Sequence, residues 1–202
     1  MNEMNTHLVD AYGSVLPQVG LGNMGEAFSS NGAGGGLPRD LIYLSMVNIK
    51  EEKTLKNLPN YARNDVALKV SYENSPVFLN LHILITATHT DYTNALTALS
   101  RVIRFFQFKN VFTQDNVAPA SITNVGPLNP IDRLETFKLI FDLYSPTMEE
   151  VNHLWGTLGG KQYPFVIYLL RLLDLKFQAV QSESGLITEV VSDLSHKQTA
   201  GA

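Results

Sequence analysis

The sequence predicts an α+β domain: a mostly antiparallel or mixed sheet with two to three helices packed on it. Apolar residues alternate with polar ones over Val77–Thr88 and again over Phe137–Leu143, the two-residue period of half-buried strands. Between these segments, the residues after Asp91 recur at the three- and four-residue spacing of a helix that buries one stripe.

In chain order, Leu41–Ile49 is apolar on both alternating faces, as a central buried strand would be. Val66, Leu68, Val70 and Tyr72 alternate, so the segment after Pro59 reads as an extended arm or an edge hairpin. Val77, Leu79, Leu81, Ile83, Ile85 and Ala87, set against Asn80, His82, Thr86 and Thr88, make a long strand with one buried face. Asp91 then caps a helix whose apolar stripe is Tyr92, Ala95, Leu96, Leu99, Val102, Ile103 and Phe106. Phe137, Leu139, Phe141 and Leu143 form a second half-buried strand. Thr147-Met-Glu-Glu150 has the form of a capping box and opens a short amphipathic helix through Trp155 and Leu158. Gly159-Gly160 ends it, because glycine accepts the left-handed conformation of helix ends. Phe165–Leu173 reads as a further buried strand.

Three loose stretches interrupt these elements: Ser29–Pro38, Asn110–Pro130 and Ser192–Ala202. None separates two cores, so residues 1–191 read as a single domain with long loops and 192–202 as a flexible C-terminal tail. A chain of 202 residues buries about 70% of its unfolded surface, and a 45% hydrophobic composition excludes wholesale disorder. Fifteen Lys and Arg against nineteen Asp and Glu leave a net charge of −4, which argues against a nucleic-acid footprint and against an anionic membrane surface. Cysteine is absent, which removes disulfide scaffolds, thiol catalysis and Cys-based zinc sites. The start lacks the basic and apolar stretches of a signal peptide. The most apolar run, Tyr163–Leu173, is broken by Pro164 and Arg171 and falls short of the ~20 residues a membrane helix needs. These features predict a soluble chain made in the cytoplasm.

The loudest motif is Gly20-Leu-Gly22-Asn-Met-Gly25, a literal G-x-G-x-x-G. In a dinucleotide-binding fold such glycines let the backbone approach a pyrophosphate at a helix N-terminus, and Asp40 lies at the spacing of a ribose-binding acid. The context argues against it. Only Glu26-Ala27-Phe28 follows before a Ser/Asn/Gly run, and Val15–Val19 contains a proline and is short for a buried parallel strand. A turn-rich loop is the reading preferred, with no cofactor expected.

The histidines (His7, His82, His89, His153 and His196) are scattered; His82 and His89 are seven apart on one expected strand and so face opposite sides. No metal site is expected. Lys50-Glu51-Glu52-Lys53 is a solvated charge cluster, and Arg101, Arg104 and Phe105-Phe106 on the long helix read as a solvated face beside a buried stripe rather than a stacking platform. No G-x-S-x-G elbow, P-loop or H-E-x-x-H is present, so no catalytic residues are assigned.

Three blocks carry a family resemblance: Leu44–Asn57; Val77–Ala87 running into Asp91–Gln107; and Leu143–Trp155 continuing through Gly159 to Arg171. In this order and spacing the chain resembles the Pvc-type cap proteins, the sheath or tail terminators of phage-tail-like contractile injection systems, from about Met4 to Val191. Compared with that family, the chain starts partway along the first amphipathic helix, and Phe165 and Leu169 are more apolar than their usual counterparts. The resemblance implies a tail-terminator-like fold and a non-enzymatic assembly protein. It implies a hexameric ring that caps the distal end of inner tube and sheath and ends their polymerisation, within a particle assembled in the cytoplasm and either released or anchored inside the cell. The implied partners are other copies of the chain, the inner tube protein and the sheath protein, with no nucleic acid and no membrane. Strand addition would join the last sheath layer. Val66, Leu68, Val70 and Tyr72, with Leu186, Ile187 and Val190 of the Gly185–Val191 segment, are the candidate interface residues; pairing within the chain's own sheet is the ordinary alternative. A tube or baseplate adaptor is the neighbouring reading, and a cofactor enzyme built on Gly20–Gly25 the reading from another class.

Overall fold

The structure, a computed structural model, describes residues 1–13, 18–27, 36–55, 61–72, 76–121, 137–175, 182–185 and 189–192. Its elements in chain order are α1 (Asn2–Tyr12), β1 (Val19–Leu21), β2 (Ile42–Glu51), β3 (Tyr61–Asn64), β4 (Lys69–Tyr72), β5 (Val77–Ala87), α2 (Tyr92–Phe108), β6 (Val111–Thr113), β7 (Lys138–Tyr144), α3 (Met148–Thr157), β8 (Phe165–Leu175) and β9 (Ser182–Gly185). The class is α+β, as expected. Contacts cluster into two compact units: Met1–Lys56 with Pro76–Leu175, and Asn57–Ser75 with Lys176–Ala202.

The larger unit holds a six-stranded sheet in the order β1-β2-β5-β8-β7-β6. β1 runs parallel to β2, and every other pairing is antiparallel. β5 sits inside, with β2 on one side and β8 on the other. One sheet face takes Met4 and Leu8 of α1 and Ala95, Leu99, Val102 and Phe106 of α2 against Ile42, Ile85 and Tyr168. Phe106 anchors this layer, with ring centroids 4.4 Å from Tyr168 and 4.9 Å from Phe141. The other face packs Leu84, Tyr43 and Ile167 around Met24, with Leu154 and Leu158 partly buried against them.

Two strand expectations change. The C-terminal half of β5 is buried on both faces, because the turn at Met24 covers the side opposite the helices. Thr86 is therefore fully buried, and its hydroxyl donates to the Met24 sulfur at 3.1 Å. β2, expected to be buried throughout, is buried only from Ile42 to Ser45. β1 covers just Ile42–Leu44, so the rest of the strand has no outer neighbour among the described residues. A bulge between Met46 and Asn48 then shifts the register, pairing Met46 with Ile83 and Ile49 with Leu81. Strict alternation would place Met46 and Ile49 on opposite faces; the extra residue returns both to the helix-bearing face.

The helix ends follow their local chemistry. The Asp91 side chain accepts from the Thr93 N–H at 3.1 Å and starts α2. On α2 the buried residues are Ala95, Ala98, Leu99, Val102, Phe105 and Phe106, while Tyr92, Leu96 and Ile103 are exposed. The expected stripe is thus rotated toward Ala98 and Phe105. At 100° per residue the apolar positions span an arc of about 180°, wider than one seam needs, so packing chose which edge of it to bury. Thr147 and Glu150 form the reciprocal capping box of α3, and Gly160 follows its end at φ 77. On α1, burial pushes the Glu3 carboxyl up in pKa, but hydrogen bonds from Lys109, the Ala118 N–H and Ser121 hold it below its ordinary value.

Gly20 and Gly22 are required by space rather than by backbone conformation. A Cβ on Gly20 would lie 2.9 Å from the Tyr43 ring, and one on Gly22 2.9 Å from the tip of Leu37. The Tyr43 ring is buried and its hydroxyl donates to the Pro38 carbonyl at 3.0 Å, so it has little room to yield.

The smaller unit holds the sheet β3-β4-β9, antiparallel throughout, with Tyr61 opposite Tyr72 and Lys69 opposite Gly185. The Asn64 side-chain oxygen accepts from the Val66 and Ala67 N–H groups at 3.1 and 3.0 Å, turning the chain at the tip of the β3–β4 hairpin. Leu68 takes φ 48 there, a left-handed conformation uncommon for a branched side chain.

Three outcomes follow from this packing. Gly20→Ala overpacks the Tyr43 ring and lowers stability by about 1–3 kcal/mol in denaturant titration, whereas a loop glycine would be neutral. Thr147→Ala loses about 1 kcal/mol by removing a helix cap. The third outcome concerns His82, which is buried on β5 with its ring edge-on to Tyr144 at 5.2 Å. Burial and the Lys50 charge lower its pKa, and the Glu150 carboxylate opposes them. The unfolded chain therefore takes up this proton first as pH falls. The stabilisation is complete above the unfolded value near 6.5 and is lost as pH drops from there through the lowered folded value. Melting temperatures measured from pH 7.5 to 5.5 should fall, and His82→Gln should flatten that slope.

Candidate functional site

The hairpin presents the first group of predicted interface residues. Val66, 98% exposed, and Leu68, also exposed, sit in the turn rather than in a strand, because the Asn64 side chain ends β3 two residues earlier. Val70 and Tyr72 do lie in β4. The alternation from Val66 to Tyr72 is thus half turn and half strand. β4 has β3 on one side and β9 on the other, so the open edges of this sheet belong to β3 and β9. Val190 is exposed outside any strand, while Leu186 and Ile187 lie outside the described residues, as does the tail from 193 onward.

The larger unit offers surfaces that the sequence reading had assigned to the core. On the helix-bearing face beyond Ile83, Met46 and Ile49 are 57% and 51% exposed, Val77 is exposed, Leu79 and Leu81 are half-buried, and Leu170 beside Leu81 is buried. One flank of α2, beside the buried Leu99, carries Tyr92, Leu96 and Ile103, all exposed and within an arc of about 40°. The excess width of the apolar arc on α2 was the signal for this second stripe. Nothing local marks the sheet patch, since its exposure depends on how far the helices reach. The outer edge of β2 after Ser45 is unpaired among the described residues, and β7 likewise outruns the three-residue β6.

Chemical candidates are absorbed by structure. The Gly20–Gly25 motif begins inside a short parallel strand, β1, but it opens only a three-residue 3-10 turn, Met24–Glu26, capped by Asn23. A turn of that length supplies no helix N-terminus for a phosphate. Asp40 stands at φ 64 and accepts from the Thr90 N–H at 2.9 Å, tying the approach to β2 to the end of β5. His89 lies beyond the end of β5 rather than on it. His7 stacks on Phe108 and tilts against Phe105. Arg101 lies over the Tyr12 ring at 4.2 Å. Glu52 accepts from Thr54 and from Asn80, so the Lys50–Lys53 cluster holds a turn together. A cavity of about 280 Å³, lined by Phe105, Phe106, Phe112, Phe137 and Phe141 among others, lies within the larger unit. Among the described residues no group of three or more His, Asp or Glu gathers to hold a metal ion. No described helix is long and apolar enough to cross a membrane.

The chain is similar to known proteins in fold and in sequence family. Among solved structures, the fold is similar to a sheath/tube terminator of an extracellular contractile injection system, PVC, in its extended state. The two are 15% identical with a TM-score of 0.55, over 99% of this chain and 64% of that one. A second similar structure is the tube-terminating cap of the anti-feeding prophage, 14% identical with a TM-score of 0.48, over 76% of this chain and 49% of that one. The chain therefore spans less than two thirds of the length of either solved protein. No curated protein sequence matches it. The family model described as the Pvc16 N-terminal domain matches residues 3–189. That match takes in every helix and strand described above save the first residue of α1, and the chain belongs to the Pvc16 N-terminal domain family.

Proposed function

We propose that the chain is a non-enzymatic terminator that caps the distal end of the inner tube and sheath of a contractile injection system and stops both from growing. The observation that carries this reading is the family match over residues 3–189; the fold it shares with a solved sheath/tube terminator supports it. Residues 1–191 act together as the terminator, and six copies close into a ring through a heterologous interface. One side of the ring docks on the last tube layer, and the other offers no surface on which a further layer grows. Its partners are the tube protein, the sheath protein and its own copies, with no role for nucleic acid or membrane. Assembly takes place in the cytoplasm, before any release of the particle.

The last sheath layer is joined by strand addition, in which backbone hydrogen bonds supply affinity and alternating side chains supply fit. The unpaired edge of β2 after Ser45 suits an acceptor. The hairpin residues Val66, Leu68 and Tyr72, which are exposed, and the half-buried Val70 suit a lateral contact, and the segment of Leu186, Ile187 and Val190 a donor or a lateral contact.

Electron microscopy of particles made with and without the gene tests the reading. Deletion is expected to give overlong, ragged or sheath-free tubes, and particles of unchanged length with normal sheath would overturn it. Changing Val66 and Leu68 together to Asp is expected to loosen the sheath at the capped end while tube length stays normal. Full sheath retention in that variant would remove the hairpin from the sheath contact.

A further inference from the structure

We propose that the groove between the end of α1 and the outer side of α2 receives an acidic segment of a neighbouring protein in the assembled particle, an inference that rests on the proposed place of the chain in that particle. The groove, of about 400 Å³, is lined by Tyr12, Leu96, Thr97, Ser100, Arg101 and Arg104. At 100° per residue Thr97, Ser100, Arg101 and Arg104 share an arc of about 100°, on the side of α2 turned away from its buried residues. All of these residues belong to the larger unit.

The positive charge in this groove has no acid to balance it. Arg101 and Arg104 are the only charged side chains on α2, and three residues apart they repel each other. The positions three and four residues from them hold Thr97, Ala98, Ser100, Phe105, Gln107 and Phe108, none of them acidic. Among the described residues neither arginine makes an ion pair or a hydrogen bond; Arg101 has its place over the Tyr12 ring at 4.2 Å. Asp10, the acid closest to Tyr12 in sequence, makes no ion pair either, and Ser14-Val-Leu-Pro17 beyond α1 contains no acid.

Charge and size select the occupant. A carboxylate accepts two parallel N–H bonds from one guanidinium. The Tyr12 ring already holds Arg101 in place, so little side-chain freedom is lost on binding. The Ser100 hydroxyl has no partner among the described residues and adds a donor, while the Thr97 hydroxyl donates to the Thr93 carbonyl at 2.9 Å and offers only an acceptor. Two neighbouring arginines thus suit two carboxylates of a short Asp or Glu run, with Leu96 as an apolar wall for their stems. Nucleic acid and anionic bilayers present long arrays of negative charge, which a chain of net charge −4 repels outside this groove. A short acidic protein segment meets the two arginines alone.

Two experiments on the full chain test the contact. In assembled particles, Arg104→Lys keeps the charge and supplies an amine that a carbodiimide joins directly to a touching carboxylate. Mass spectrometry is expected to find that amine linked to an Asp or Glu of another chain. Separately, the purified chain is titrated with a fluorescent hexaglutamate peptide. Binding is expected to weaken as salt rises, and Arg104→Gln, at an exposed position, to weaken it about fivefold with the melting temperature unchanged. Peptide binding indifferent to Arg104→Gln overturns the proposal. So does the absence of any cross-link in particles of normal length, a result that leaves the terminator reading intact. Phosphatidylserine vesicles that bind through the same arginines more tightly than the peptide would replace the acidic segment with an anionic membrane. Particle lengths indifferent to the gene sink the terminator reading, and the peptide titration then decides the groove by itself.

Discussion

The strand Val77–Ala87 has to bury both sides of its second half, and most of the larger unit is arranged to do that. Ile85 and Ala87 need the helices on one face; Leu84 and Thr86 need the Met24 turn on the other. Pairing to β2 and β8 satisfies its backbone. Because α2 begins five residues after β5 ends, the helix folds straight back onto the face it came from. Phe106 then meets Tyr168 and Phe141 across the next two strands, so one connection fixes the position of half the sheet.

Among the described residues of the larger unit, neither α1 nor α2 reaches the far end of the sheet. α1 and α2 together cover the rows around Ile42 and Ile85, and the strands run on past them. A protein that worked alone would shorten those strands or place polar residues there. In this chain a β-bulge keeps Met46 and Ile49 on one face, and the edge strands β1 and β6 are three residues each, so stretches of β2 and β7 have no outer neighbour among the described residues.

The glycine motif shows how a chemical signature can have a packing cause. Gly20 and Gly22 lie where the Tyr43 ring and the Leu37 tip press on the backbone, and Asp40 holds a turn. The residues recur at a nucleotide-binding spacing, yet Gly20 and Gly22 make room for one buried tyrosine and its neighbour, and Asp40 ties a turn to Thr90.

Local features were legible in the sequence because their causes are local. The Asp91 cap, the Thr147–Glu150 capping box and the Gly159-Gly160 stop depend on residues within a single turn, and the alternations of Val77–Ala87 and Phe137–Leu143 depend on the pleat alone. The α+β class followed from them, and the blocks of residues were enough to carry the family resemblance. Burial is decided between elements distant in sequence, and there the sequence was silent. Alternation in the 41–49 segment could not reveal that β1 would cover three residues of it, nor could the periodicity of α2 choose among an arc of about 180°. Val66–Tyr72 looked continuous until one asparagine oxygen turned the chain at Asn64 and β9 closed over β4. The sequence determined which residues are apolar and with what period. Only the tertiary structure decided which of those apolar faces its own elements reach.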